Sequence, residues 1–377
     1  MEQMPFIFGK TAEIHNFTDR EEETKRLTQN FYSLVNTMII SPRRWGKSSL
    51  VKSVAKSLVN DNKDIKVCLL DIFNIHNETE FYVNFAKNII KATSTKWEDW
   101  AENAKEFLSR LIPKISFSPD NQAEFSFGIE LDEIKQNPDD IINLAETIAK
   151  KKKIKIIVCI DEFQNIANFE DALAFQQKLR SHWQHHQNVS YCLYGSKRSM
   201  LINIFANPSM PFYKFGDIMF LEKIENKVWG KFIQKRFKDT GKKISKKEGE
   251  YLASLVANHP YYVQQLAQMS WLRTKVSCSK SIIDASLQTL KNQLSLLFVS
   301  LIDNLTTTQI NFLKALLDGH TSFGQEILQK YNLGTSANII RIKESLVSKE
   351  VIDITSKNIE IQDPVFQLWL KEEYFSH

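Results

Sequence analysis

Two groups of residues in this 377-residue chain have the types and spacing to do chemistry. The first is the run Ser41-Pro42-Arg43-Arg44-Trp45-Gly46-Lys47-Ser48-Ser49. A loop of this kind turns its backbone N–H groups and the positive end of the following helix toward a polyphosphate. Gly46 permits close approach of backbone to phosphate, the Lys47 ammonium reaches the β- and γ-phosphates, and the Ser48 hydroxyl holds Mg²⁺. Pro42, Arg43, Arg44, Trp45 and Ser49 belong to the same nucleotide-binding loop. The second group is Asp161-Glu162, with Asp161 expected to bind Mg²⁺ directly or through water and Glu162 to act as general base on the attacking water. Ser196, after another strand, is expected to sense the γ-phosphate or the lytic water, although Ser-Lys-Arg also reads as ordinary loop chemistry. A Gly-Lys-Ser turn alone, or an acidic pair alone, is most often only a loop. Together they form one site.

One position departs from the pattern G-x-x-x-x-G-K-[ST], which has glycine where this chain has Ser41. A serine must close that turn with a backbone compatible with a Cβ.

The elements that position these groups can be read in order. Thr37-Met38-Ile39-Ile40 is a short apolar strand before the loop, and a helical pattern follows it. Ile65–Asp71 reads as a second buried strand, then helices from about 78 to 93 and 97 to 111. Alternation between 112 and 131, around a Ser118-Pro119-Asp120-Asn121 turn, predicts an inserted β-hairpin. Pro138-Asp139-Asp140 caps a helix that ends in Lys150–Lys153, where a basic run suits the helix dipole. Strands at 154–160, 189–194 and 218–221, joined by helices, predict a parallel sheet with crossover connections. At the N-terminus, Thr18 or Asp19 is expected to cap a helix with an acidic first turn, Glu21-Glu22-Glu23.

Composition fits an ordinary globular protein: 43% hydrophobic, 25% charged, 11 glycines, 9 prolines and a formal net charge of +5. That excess permits nucleic-acid contact without arguing for it. There is no run of eighteen apolar residues, so no membrane span is expected, and no signal peptide is read at the N-terminus. The four cysteines, Cys68, Cys159, Cys192 and Cys278, lack metal-ligand spacing. Reduced buried thiols and a cytoplasmic location are expected.

The pattern changes after residue 222. Residues 223–250 carry ten Lys/Arg against four acids on a helical pattern, which reads first as a solvated face. Helices to about 301 suggest a small lid. Helical patterns at 306–317, 323–331 and 336–348, followed by a hairpin at 351–361, predict a winged helix. Its third helix would be the reader, offering Thr335, Ser336, Asn338, Arg341 and Lys343, opposed by Glu344. The expected domains are therefore 1–222, 223–301 and 302–377.

As a set these residues resemble the archaeal-type ATPases, P-loop proteins of the STAND/AAA+ group that also occur in bacteria, and a bacterial member is expected. The resemblance rests on Phe17-Thr18-Asp19-Arg20-Glu21, Pro42 to Leu50, Ile160-Asp161-Glu162-Phe163-Gln164, Tyr194-Gly195-Ser196, His259-Pro260-Tyr261 and Asp363 to Leu370. It implies an α/β P-loop core, a helical lid and a C-terminal winged helix. It also implies that Asp19 and Arg20 lie near the adenine, that Pro260 packs on the base, and that an arginine before the fifth strand completes a neighbour's site. Here Lys214 stands in that place, a point charge rather than a planar fork. Ser41 and Lys214 together set the expectation of slow hydrolysis. The expected function is an ATP-binding, slow Mg²⁺-dependent ATPase working as a switch, in which nucleotide bridges core and lid and hydrolysis releases closure. Two alternatives stand beside it: an ATP-regulated DNA-binding protein of the initiator or transposition-helper kind, and a nucleotide-binding scaffold without turnover. Expected partners are nucleotide, then DNA through the winged helix, a protein partner or a second copy, and no membrane.

Overall fold

The computed structural model describes residues 4–9, 20–94, 106–107, 116–117, 127–128, 137–354 and 358–376. The chain divides into two units: Arg20–Arg43 with Lys47–Leu221, and Met1–Asp19 with Arg44–Gly46 and Glu222–His377.

The first unit runs α1 (Glu21–Tyr32), β1 (Thr37–Ile40), α2 (Lys47–Asp61), β2 (Ile65–Asp71), α3 (Glu78–Ala92), β3 (Ser116–Phe117), β4 (Phe127–Gly128), α4 (Pro138–Ile142), α5 (Leu144–Lys152), β5 (Lys155–Asp161), α6 (Ala172–Trp183), β6 (Val189–Gly195), α7 (Arg198–Ala206) and β7 (Asp217–Phe220). Five strands form one sheet in the order β2-β5-β6-β1-β7, every pair parallel. β1 and β6 are buried along their whole length and β5 nearly so, while β2 and β7 at the sheet edges alternate toward solvent. Strands buried on both faces are what near-continuous Ile/Val/Cys runs dictate. Each fully buried Ile or Leu contributes about 1.5–3 kcal/mol.

The inserted hairpin appears as a short antiparallel ladder, Ser116 opposite Gly128 and Phe117 opposite Phe127. The expected helix at 97–111 lies outside the described residues apart from Glu106 and Phe107. Two local expectations are corrected. The single helix expected after Pro138 is broken at Asn143, whose side chain is instead bonded to His182 and His186. α1 starts at Glu21 with Arg20 as its N-cap, at φ 95°, rather than Thr18 or Asp19, which lie outside the described residues.

The second unit runs α8 (Asn226–Asp239), α9 (Lys246–Leu255), α10 (Pro260–Arg273), α11 (Lys280–Asp303), α12 (Thr307–Leu317), α13 (Gln325–Lys330), α14 (Ser336–Ser348), β8 (Ile352–Ile354), β9 (Ile359–Ile361) and α15 (Pro364–Trp369). Capping boxes start α9 (Ser245 with Glu248) and α12 (Thr306 with Gln309). One core runs from Phe6 and Trp229 through Leu266 to Phe366 and Leu370, so residues before and after 301 share it. Contacts that fasten those halves include a hydrogen bond from Tyr262 Oη to Asp363 and the Lys291 Nζ–Glu372 pair at 2.6 Å. α15 was not foreseen as a helix. Asp363 caps it by accepting from the N–H groups of Val365 and Phe366, and Pro364 occupies its first turn.

Candidate active site

β1, β5 and β6 run parallel, so the loops after Ile40, Asp161 and Gly195 emerge along one edge of the sheet. Ile40 is in register with Gly195, and Ile160 with Leu193. β6 lies between β1 and β5, which puts Ser196 between the Lys47 loop and the Asp161-Glu162 pair. In open parallel sheets, ligands are bound outside this carboxyl edge.

The loop after β1 needs no glycine at its first position. Ser41 is buried, its backbone is not left-handed, and its hydroxyl donates to the Pro42 carbonyl at 3.2 Å. The left-handed backbone falls instead at Arg44 (φ 64°) and Gly46 (φ 90°). For Arg44 that conformation costs about 1–2 kcal/mol. Arg44 has its guanidinium 4.7 Å from the centre of the Tyr261 ring. Arg43 is exposed and Trp45 half-buried.

Lys47 opens α2, is 5% exposed, and donates from Nζ to the carbonyls of Pro42 (3.0 Å) and Ser41 (3.3 Å). Burial pulls its ammonium down to about 8, against the charges of Glu162 and Asp161, which favour the charged form, and with the help of Arg43, which opposes it. The next residue, Ser48, donates from Oγ to Asp161 Oδ2 at 2.7 Å. Burial raises the Asp161 carboxyl; the Ser48 hydrogen bond pulls it back, while Glu162 and Asp71 push it further up. Asp71 stands opposite Asp161 in the β2–β5 register.

Glu162 follows in a left-handed conformation, φ 55° and ψ 35°, and leads into a 3₁₀ turn over Phe163–Asn168. Its Oε2 accepts from Ser196 Oγ at 2.9 Å, Ser196 N at 3.3 Å and the Gln164 side-chain amide. Phe163 anchors the segment, its ring stacked on Phe205 and edge-on to Phe212. The structure therefore brings Lys47, Ser48, Asp161, Glu162 and Ser196 into one network. Sequence reasoning named Gln164 only as part of a matching stretch and gave it no role. A polar residue between buried Phe163 and Ile166 is the faint signal it offered.

Asp19 lies outside the described residues. Arg20 is buried and paired with Glu23 at 2.6 Å. Pro260 begins α10 after Ala257 and Asn258, both left-handed at φ 50° and 57°. Asn258 tolerates that conformation. Its Oδ1 accepts from Asn226 at 3.0 Å. Lys214 is exposed, with its ammonium 5.2 Å from the Tyr213 ring centre.

The donor set fits a small divalent cation. Ser48 Oγ and Asp161 Oδ2 are adjacent hard oxygens, and Mg²⁺ takes one or two protein oxygens and completes its shell with water and phosphate. Among the described residues no cluster of three or more His, Cys, Asp or Glu is arranged to hold a metal by protein ligands alone. None of the described helices is long and apolar enough to cross a membrane.

Comparison with known proteins agrees with this geometry. No curated protein sequence matches the chain. Among solved structures, the Walker-type ATPase paby2304 of Pyrococcus abyssi superposes with a TM-score of 0.67 at 16% identity, covering 98% of this chain and 100% of that one. The ORC2 protein of Aeropyrum pernix, solved as ADPNP–ADP complexes, gives 0.57 at 13% identity, covering 92% and 90%. The Aeropyrum pernix ORC1 protein in complex with DNA gives 0.50 at 11% identity, covering 95% and 94%. At such identities these likenesses show the fold: a parallel-sheet P-loop core and a C-terminal winged helix. Residues 296–372 match a family described as "probable winged helix domain". Residues 17–266, well over half the chain, match the family described as "ATPase domain predominantly from Archaea", and the chain belongs to that family.

Proposed function

We propose that this protein binds ATP with Mg²⁺ and hydrolyses it slowly, as a nucleotide-controlled switch. The observation that carries the reading is the strand-end network of Lys47, Ser48, Asp161, Glu162 and Ser196. Lys47 gives up its two loop carbonyls for phosphate oxygens. Ser48 and Asp161 would hold Mg²⁺, which when bound would supply neutralising charge to the phosphates. Glu162 takes the proton of the attacking water as its oxygen bonds to the γ-phosphorus. The bond to the β–γ bridging oxygen breaks, and ADP leaves with that electron pair. Asp19, Arg20 and Pro260 are assigned to the adenine on the family resemblance. Slow turnover is expected because Lys214, an exposed point charge, offers no planar cation to the γ-phosphate; Ser41 fits its turn and gives no ground for it.

The test is a thermal-shift titration with ATP and ADP, with and without Mg²⁺, beside phosphate release by wild type and Glu162→Gln. Binding by both and release by wild type alone support the reading. No shift with either nucleotide sinks it, and binding with equal, negligible release by both proteins leaves a scaffold without turnover. A DNA partner is a second reading, favoured by the winged-helix domain and by the DNA complex of the structurally similar ORC1 protein.

A further inference from the structure

Glu162 Oε2 accepts three hydrogen bonds, while Oε1 accepts none from the described residues. Saturating one oxygen fixes the plane of the carboxylate and leaves the other free to take a proton. Two of the three donors belong to Ser196. The third is Gln164, which is 1% exposed and bonded by Nε2 to Glu162, while its Oε1 has no partner. A buried acceptor left unpaired costs about 1–3 kcal/mol. An apolar side chain of similar size next to Phe163 and Ile166 would avoid that cost, so packing alone does not account for the amide.

Gly195 points the same way. Its backbone is not left-handed, so no turn demands glycine. A Cβ there would stand 1.9 Å from Gln164 Oε1, 3.0 Å from its Cδ and 3.2 Å from Glu162 Cα. Glycine at the end of β6 is the space into which the Gln164 amide is folded.

We infer that Gln164 is a positioning residue for Glu162, and that Gly195 is glycine so that the Gln164 amide can reach it. This rests on the reading of Glu162 as general base. The left-handed backbone at Glu162 and the buried Phe163 ring fix where the carboxylate begins; Gln164 and Ser196 fix where it ends.

The test uses the full chain and the variants Gln164→Ala, Gly195→Ala and their double, with phosphate release and ADP affinity measured side by side. Each single variant should lower kcat by about 10- to 100-fold, as misplacement of a catalytic group does. ADP affinity and KM should stay within about threefold. The double should be no slower than the slower single, because both act on one amide. Gln164→Glu should be slow at neutral pH and recover as pH falls, since a protonated carboxyl donates where the amide did. Wild-type kcat in Gln164→Ala, or kcat and ADP affinity falling together, overturns the assignment. A second measurement needs no turnover. In the nucleotide-free protein labelled with ¹⁵N, the Gln164 side-chain amide should exchange slowly, and Glu162→Ala or Gly195→Ala should release it. Rapid exchange in wild type overturns the inference even if the protein proves to hydrolyse nothing. Failure to bind ADP or release phosphate would instead count against the ATPase reading.

Discussion

The strand-end network and the outward face of α14 are two places where this chain could meet a charged ligand, and they are built differently. At the strand ends, a buried lysine is set against two half-buried carboxylates that are held by hydrogen bonds: Asp161 by Ser48, and Glu162 by Ser196 and Gln164. On α14 the exposed residues include Ser336, Ile340, Arg341 and Glu344, and Ile340 is 59% exposed. Thr335 and Asn338, expected readers, are occupied at the helix start, where Thr335 Oγ1 accepts from Asn338 N and Asn338 Nδ2 donates to the Leu333 carbonyl. Charge that is desolvated and paired is costly, and it persists where a ligand or a reaction uses it. Charge in water costs little and signifies little.

The comparison breaks first, and most visibly, at Glu162. Glu162→Gln keeps the size of the side chain and removes the base, so phosphate release should fall by about 10²–10⁴-fold while ADP affinity holds. Equal loss of both would mean that Glu162 shapes the site rather than the reaction. Lys47→Ala comes next. Truncating the cation that meets the phosphates typically costs about 2–5 kcal/mol of binding, enough to erase the nucleotide-induced rise in Tm at millimolar ATP. A retained rise would place the phosphates elsewhere.

The third prediction concerns pH. Lys47 is pulled from its ordinary 10.5 to about 8 in the folded chain, by burial above all. Between pH 8 and 10.5 the unfolded chain therefore binds more protons than the folded one, and Lys47 makes stability rise with pH across that window. Below pH 8 both states are charged and folding bears the whole cost of burying the ammonium, about 3 kcal/mol. Lys47→Met removes the cost, so it should be the more stable protein at pH 7, with an advantage that shrinks as pH approaches 10. Nucleotide affinity should move the other way in wild type, weakening above pH 8 as the ammonium is lost. A Tm difference between the two proteins that does not change with pH would show that Lys47 titrates normally.

Much of this was legible in the sequence, for reasons that differ by residue. Buried parallel strands leave long apolar runs, so the five strands of the sheet could be placed within a residue or two. Lys47 and Asp161 announced themselves because a glycine-flanked lysine before a helix and an acid ending a strand have few other uses in one chain. Ser41 misled because the turn it was expected to make is made at Arg44 and Gly46. Gln164 was silent because its significance depends on contact with Gly195 and Glu162 across two strand ends, which no local pattern encodes. The break at Asn143 was hidden for the same reason: its partners, His182 and His186, lie about forty residues away in the chain.

The smallest effect is expected on α14, and it sharpens the comparison from the other side. Each phosphate neutralised on duplex DNA contributes about −0.9 to the slope of log affinity against log salt. Among its predicted readers α14 has two cations, Arg341 and Lys343, and the Lys343 ammonium already lies 5.3 Å from the centre of the Phe323 ring. Glu344 next to them repels phosphate. If α14 is the DNA-contacting element, the slope should be no steeper than about −2, and affinity should fall only roughly tenfold between 50 and 200 mM salt. Arg341→Ala should then flatten the slope by about one unit. A slope near −5, unmoved by Arg341→Ala, would exclude α14 as the main contact. It would point to the exposed lysines Lys227, Lys231, Lys235 and Lys238 on α8, where charge reversal would be the measurement that decides.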